Sequence, residues 1–495
     1  MNRTTLSLIA GATALAAVTG FAAVSAPDAG TTDGTAAASA RFPVERTTLL
    51  CPRPSGSDLA ETTYTSFTPL TKGTEDTGKA VLRPAAEKTD EKPDEKPDEK
   101  AVLEPGDPGK PVTGDTTGAD APALVGTAEG RFAPGWTVQQ TTEVTAGTGR
   151  GLQGVACTAA DTEFWFPGAS TDPDRTDYVH LTNPDDSAAV VDIELYGEDG
   201  ALKTVVGEGI TVPPHSSEPV LLSTLTEEKQ TDVTAHVVVR SGRVGAAVQA
   251  LDAEVGGDWL PASADPSGTL VLPGIPKDAT AVRLVAFTPR DADVDLKVRL
   301  ASPSGLITPA GNETLHVKGG MTSAADLGDL TRGEAGSLVL TASDSTVPVV
   351  AAVRVLRGDA GEQESAFIPA ARPVGPRATS AGNTAEGTTL SVTAPEGTAT
   401  VKVTASAGTE GGTPASKTYT IKSGTTQDIE VPVPAGAKGT YALTLEPRSD
   451  TPVYASRTLG TTSDGVPFFT VQPLPDDRGM VAVPESEEDL SVLQR

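Results

Sequence analysis

Apolar and polar residues alternate with a period of two over short runs along most of the chain, and the runs themselves recur. Val191, Ile193 and Leu195 are separated by polar residues, as are Val294, Leu296, Val298 and Leu300, and then Val401 and Val403. Successive side chains of a strand point to opposite faces, so each run predicts a strand with one face in a core. Each is preceded by a β-like run and a proline turn: "YVHLTNPDDS", "VRLVAFTPRDAD" and "LSVTAPEGT". The prolines, Pro184, Pro289 and Pro395, recur at intervals of about 105 residues. A catalytic constellation at Tyr178–Gly200 would not recur with its histidine and asparagine missing, so Asn183, Pro184, Asp185 and Asp186 read as a turn.

The ends of these units also agree. "GRVGAAVQALDAEVGGDWLPA", "STVPVVAAVRVLRGDAGEQESAFIPA" and "DTPVYASRTLGTTSDGVPFFTVQP" each give a small-residue strand, a turn and an aromatic-apolar strand closed by proline. "GTGRGLQGVACTAADTEFWFPG" has the same shape. The period is too long for a propeller blade or a solenoid coil and suits a sandwich of about seven strands of the immunoglobulin-like kind. The predicted architecture is all-β: a small disulfide-linked N-terminal β domain over 41–162, then three tandem immunoglobulin-like β-sandwiches over 163–267, 268–374 and 375–475, and an acidic tail over 476–495. Within the first domain, 71–122 breaks the pattern. Its "EKTDEKPDEKPDEK" run and the Pro, Gly and Asp that follow offer little apolar surface to offset ordering entropy, which predicts a disordered, removable insertion.

Composition narrows the function classes. A formal net charge of −28, from 66 Asp+Glu against 38 Lys+Arg, repels phosphates and excludes a nucleic-acid partner. "MNR" followed by an apolar run to Val24, with small residues before a cut after Ala26, reads as a signal peptide over 1–26. The alternative is an uncleaved anchor of nearly spanning length, the one route to membrane attachment. Two cysteines, Cys51 and Cys157, read as one disulfide in an exported chain, against two buried thiols.

Candidate chemistry is sparse. "GRGLQG", Gly149 to Gly154, matches a dinucleotide-binding pattern by letter, but a strand-like run follows where a helix is required, so a hairpin turn is expected. His180, His215, His236 and His316 are scattered, without metal-ligand spacing, and read as surface or edge residues. Asp291, Asp293 and Asp295 are spaced like the opening of a calcium loop, but Leu296 stands where its glycine belongs; a solvated turn is the alternative. Phe164, Trp165 and Phe166 alternate in facing, which suits packing between domains at Trp165, or else a sugar platform. The sequence contains no GxSxG elbow. No catalytic residue and no cofactor is assigned.

"TTLLCP", "EFWFPG" and "LTNPDDSAAVVDIELYG", in that order and spacing, resemble a family of exported actinobacterial proteins known as domain of unknown function 5719. The resemblance runs from about Arg46 to Pro475. It implies an exported, envelope-associated protein and carries over no catalytic residues. The expected function is a non-enzymatic scaffold or interaction protein, secreted or at the cell envelope, whose partner is an envelope protein or polymer. The alternatives are a secreted hydrolase or glycan-modifying enzyme with an interdomain site, and a calcium-dependent adhesive protein. Convergent polar groups in one pocket together with a perturbed carboxylate would favour the enzyme.

Overall fold

The strands expected around the three prolines are present in the computed structural model, which describes residues 40–87, 100–463 and 465–483. The 1–26 segment, most of the DEKP run and most of the 476–495 tail lie outside the described residues. Among the described residues the protein is all-β, with one short 3-10 turn at Leu222–Thr224, and no helix is long and apolar enough to cross a membrane.

One plan organises the strands, and residues 269–369 show it complete. Nine strands follow in order: Thr269–Ile275, Ala279–Phe287, Val294–Ser302, Gly305–Ile307, Thr314–Val317, Thr322–Gly328, Gly336–Ala342, Val350–Arg357 and Glu364–Pro369. One antiparallel sheet runs first–seventh–third–fourth, with the fifth also on the third; the other runs sixth–second–eighth–ninth. The second and third strands, either side of Pro289, thus belong to different sheets, and the proline turn crosses between layers. Their inward residues meet in one core, with Leu284, Leu296, Leu338 and Val353 all buried. Full burial of such side chains contributes about 1.5–3 kcal/mol each.

Residues 163–260 repeat this plan strand for strand, and residues 378–473 repeat it with one added strand, Ala435–Lys438, beside the fourth. Val191, Leu296 and Val401 occupy the same place in the third strand and are fully buried. The turn before Val191 is fastened by Asn183, whose amide donates to the Ser187, Val212 and Pro213 carbonyls at 2.8, 3.1 and 3.0 Å.

Among the described residues, 46–156 show seven of the nine strands of a fourth copy. Arg46–Cys51, Leu124–Gly130 and Gly78–Pro84 make the first sheet, and Val112–Thr117, Ala60–Phe67, Thr137–Val144 and Gly151–Ala156 the second. The described residues of 71–122 correct the expectation of disorder there. Gly78–Pro84 is a full third strand with Leu82 completely buried, and Val112–Thr117 is a sixth strand. The latter was invisible because an edge strand that is exposed at alternate residues needs few apolar side chains; its order comes from backbone bonds to Ala60–Phe67. The Leu82–Leu103 bridge reproduces the fifth-on-third pairing, and Ala86–Glu87 adds in parallel to Ser216–Leu221 of the second copy. Cys51 and Cys157 are bonded, with Cα atoms 4.4 Å apart.

Residues Pro43–Val481 form one compact unit, so the expected boundaries at 163, 268 and 375 divide strand sets and not separate bodies. The cause lies in the ninth strands. Gly151–Ala156 packs on Gly256–Leu260, that strand on Glu364–Pro369, that on Val466–Pro473, and the last returns to the first. The four copies close a ring. At its seam the Val44 N–H donates to the Gly479 carbonyl at 3.1 Å. Among the described end residues, strands Ala40–Pro43 and Met480–Val483 pair with each other.

Candidate functional site

The ninth strands approach closely because glycine and short polar residues face the ring centre. A Cβ on Gly154 would lie 2.5 Å from the Thr470 methyl, so only glycine fits there. The backbone N–H of Gly154 donates to Asp258 Oδ1 at 2.9 Å, and the Thr470 hydroxyl reaches the same oxygen at 3.2 Å. Residues from three copies therefore meet on one carboxyl group that is wholly buried. Burial pushes Asp258 well above the usual carboxylate range, against its backbone hydrogen bonds. Earlier on the same strand, Gly151 lies beside Glu364, which pairs with Arg150 at 3.2 Å. Burial raises Glu364 to about 8, with Arg150 pulling the other way. Beside the ring centre the fully buried Arg457 donates to the Ala381 carbonyl at 2.8 Å and to Gln472 Oε1, and burial lowers it to about 10.

Past Gly154 the four chains open on a cavity of about 420 Å³. All four copies contribute to its wall. Leu49, Trp136 and Val155 come from the first copy, Phe164 and Ala247 from the second, Ala370 from the third and Leu474 from the fourth. Gln139 Oε1 and Gln472 Nε2, in buried side chains of its wall, have no hydrogen-bond partner among the described residues and are closed to water. Burial holds His180 near 4, against a hydrogen bond with Gln249, so the imidazole is neutral at ordinary pH.

The surface-or-edge reading of the histidines therefore needs correction at two positions. His180 is buried because the second sheet is covered on both faces, one by its own core and one by the first copy, whose Val155 packs on Ala247 and Trp259; the Trp259 ring of its own sheet lies 5.2 Å from the imidazole. His236 stacks on Trp165 with centroids 3.5 Å apart and holds Glu194 and Glu163 at 2.9 and 3.1 Å. His215 and His316 are exposed, paired with Asp186 at 2.7 Å and Asp295 at 2.8 Å. Asp293 lies 3.7 Å from the same His316, so two of the three candidate calcium ligands face an imidazole. Among the described residues no group of three or more His, Cys, Asp or Glu is arranged to hold a metal ion.

Trp165 packs on Phe287 and Val350 of the next copy, while Phe164 and Phe166 enter their own core. "GRGLQG" is a turn running into a strand, and two of its glycines serve the ring contacts. The residues that sequence reasoning missed are Gln139, Asp258, Arg457, Thr470 and Gln472. They carry no spacing signal, and the available hint was the equivalent position of the ninth strands in the repeat.

Fold and site together define an all-β protein of four like strand sets closed around a common cavity. The chain belongs to the family of unknown function (DUF5719), which matches residues 112–432. The match begins at the sixth strand of the first copy and ends in the last, a narrower span than the motifs suggested. No curated protein matches the chain.

Proposed function

We propose that the protein is a non-enzymatic, exported interaction protein of the cell envelope, whose ring of β-sandwiches holds a ligand cavity on a rigid frame. The observation that carries the reading is the make-up of that cavity. Its wall joins apolar residues such as Leu49, Val155 and Phe164 to the side chains of Gln139 and Gln472 and the neutral imidazole of His180, a lining suited to holding a ligand. The two carboxyl groups with strongly raised pKa values, Asp258 and Glu364, serve strand contacts and do not line it. Of the lining carboxylates, Glu163, Asp265 and Asp477 pair with His236, Arg372 and Arg377, while Asp161 and Asp476 accept from the backbone N–H groups of Thr162 and Arg478. Export is supported by the N-terminal sequence and by the bonded cysteine pair, which suits an oxidising compartment.

The hydrolase reading draws on the same cavity, since it lies between copies and gathers polar side chains. The two separate in one assay. Purified protein is mixed with an isolated envelope fraction, sedimented, and the supernatant analysed for released fragments. Co-sedimentation without release is expected. Protein left in the supernatant would refute an envelope partner, and steady release of fragments would establish the enzyme.

A further inference from the structure

We propose that an arginine-lined groove between the first and second copies binds a short, extended oligoanion, a ligand carrying phosphate or carboxylate groups at more than one point along its length. The groove adjoins the central cavity, and the inference stands without the ligand reading of that cavity.

Strand alternation builds the floor of the groove. The first sheet of the first copy turns Leu49, Leu82 and Leu124 into the core, so Arg46, Thr48, Val125, Thr127, Val81 and Arg83 share its opposite face. All six line a groove of about 1070 Å³. Its other side comes from the second copy, through the Pro184–Ser187 turn, His215 and Arg243, and from Arg478 at the seam.

The charges of this lining run against the composition of the chain. A sequence with 66 Asp+Glu against 38 Lys+Arg places four arginines and two aspartates here. Both aspartates are engaged. Asp185 accepts from Arg243 at 2.9 and 3.0 Å, and Asp186 pairs with His215 at 2.7 Å. Arg46 meets Glu129 only at 4.0 Å, beyond hydrogen-bonding range. Arg83 and Arg478 are exposed, and among the described residues no side-chain hydrogen bond or ion pair engages either guanidinium. An arginine fork matches the paired oxygens of carboxylate or phosphate, so three of them without a tight partner select an oxyanion. Screening beyond about 8 Å at physiological salt limits the reach of carboxylates elsewhere on the surface.

Spacing asks for more than one anionic group. Arg46 stands opposite Glu129, and Arg83 opposite Val125, on the strand between them. At about 3.4 Å per residue and about 4.8 Å per strand, their Cα atoms are roughly 17 Å apart. Successive anions of an extended chain suit that interval, each met by its own arginine. The backbone gives an independent sign of a site. Among the described residues three that are not glycine have positive φ, and two of them, His215 and Arg478, each at 52°, line this groove. Such backbone is strained in a residue with a side chain and gathers at ligand-binding positions.

Tripolyphosphate and a galacturonic acid trimer are titrated calorimetrically into the full chain. Inorganic phosphate and acetate are the single-anion arms, and maltotriose is the neutral one. Saturable binding of at least one anionic trimer is expected, and the favoured one tells phosphate from carboxylate. Arg83→Gln and Arg478→Gln should each weaken it about tenfold or more, as for loss of a hydrogen bond to a charged group. Arg332→Gln, at an exposed arginine of the third copy, should leave it unchanged. Arg478 also lines the central cavity and Arg83 does not, so the Arg83 variant places the site in the groove. The proposal is overturned if neither anionic trimer saturates, or if a single anion or maltotriose binds as tightly. Unchanged affinity in Arg83→Gln would overturn it too, as would an equal loss in Arg332→Gln. If a variant does not fold, the titration of the unaltered protein decides alone. The titration uses no envelope fraction, so its failure and that of the envelope assay are separate results.

Discussion

Replacing Gly154 with valine tests whether the ring is one cooperative structure. A Cβ at this position would lie 2.5 Å from the Thr470 methyl and 2.9 Å from Gln472 Nε2, in a strand whose backbone N–H serves Asp258. Overpacking of this sort typically costs about 1–3 kcal/mol, and the Asp258 hydrogen bond adds roughly 1 kcal/mol if the strand shifts. Gly56→Ala is the control, because a Cβ there meets nothing within 4 Å. Hydrogen exchange followed by peptide mass analysis reads the outcome. A loss of about 2 kcal/mol corresponds to roughly thirtyfold faster exchange. That loss should appear in Gly151–Ala156 and equally in Gly256–Leu260 and Val466–Pro473, the strands it touches across the ring. Loss of protection confined to residues 46–156, with the other two strands unchanged, would refute the ring as a single unit.

Glu364→Gln should flatten the neutral side of the pH–stability profile. The folded carboxyl keeps its proton up to about 8 and the unfolded one loses it near 4.5, so wild-type stability falls as pH rises through that window; equal slopes in denaturant melts of the two proteins would contradict this. His180→Phe should act on the acid side. With its folded value near 4 against 6.5 unfolded, His180 contributes stability that is present above 6.5 and lost as pH falls toward 4, so the variant should resist acid better in the same melts. Cys51→Ser with Cys157→Ser should cost about 4–5 kcal/mol by the chain-entropy argument, the cysteines being 106 residues apart; an unchanged midpoint in non-reducing urea would count against it.

The period-two alternation around Pro184, Pro289 and Pro395 made the repeated sandwich legible, because those third strands have one face in a core and one face polar. Gly78–Pro84 and Val112–Thr117 were hidden by the acidic run between them, whose composition dominated the whole stretch. The ring was hidden for a different reason. Gly154, Asp258, Thr470 and Gln472 contact one another across more than 100 residues of chain, through polar groups that carry no hydrophobic period. His180 illustrates the cost of assuming solvent on the second face of a sheet: the alternation placed it correctly, but another copy occupies that side.

Closure of the ring also orders events in time. Gly154 waits for Thr470, 316 residues downstream, before the seam can form. At about 5–20 residues per second of synthesis the delay is roughly 15–60 s. The Cys51–Cys157 bond lies wholly within the first copy and can form long before the last copy arrives. The oldest part of the chain can thus be covalently secured during the interval in which its partner strand does not yet exist.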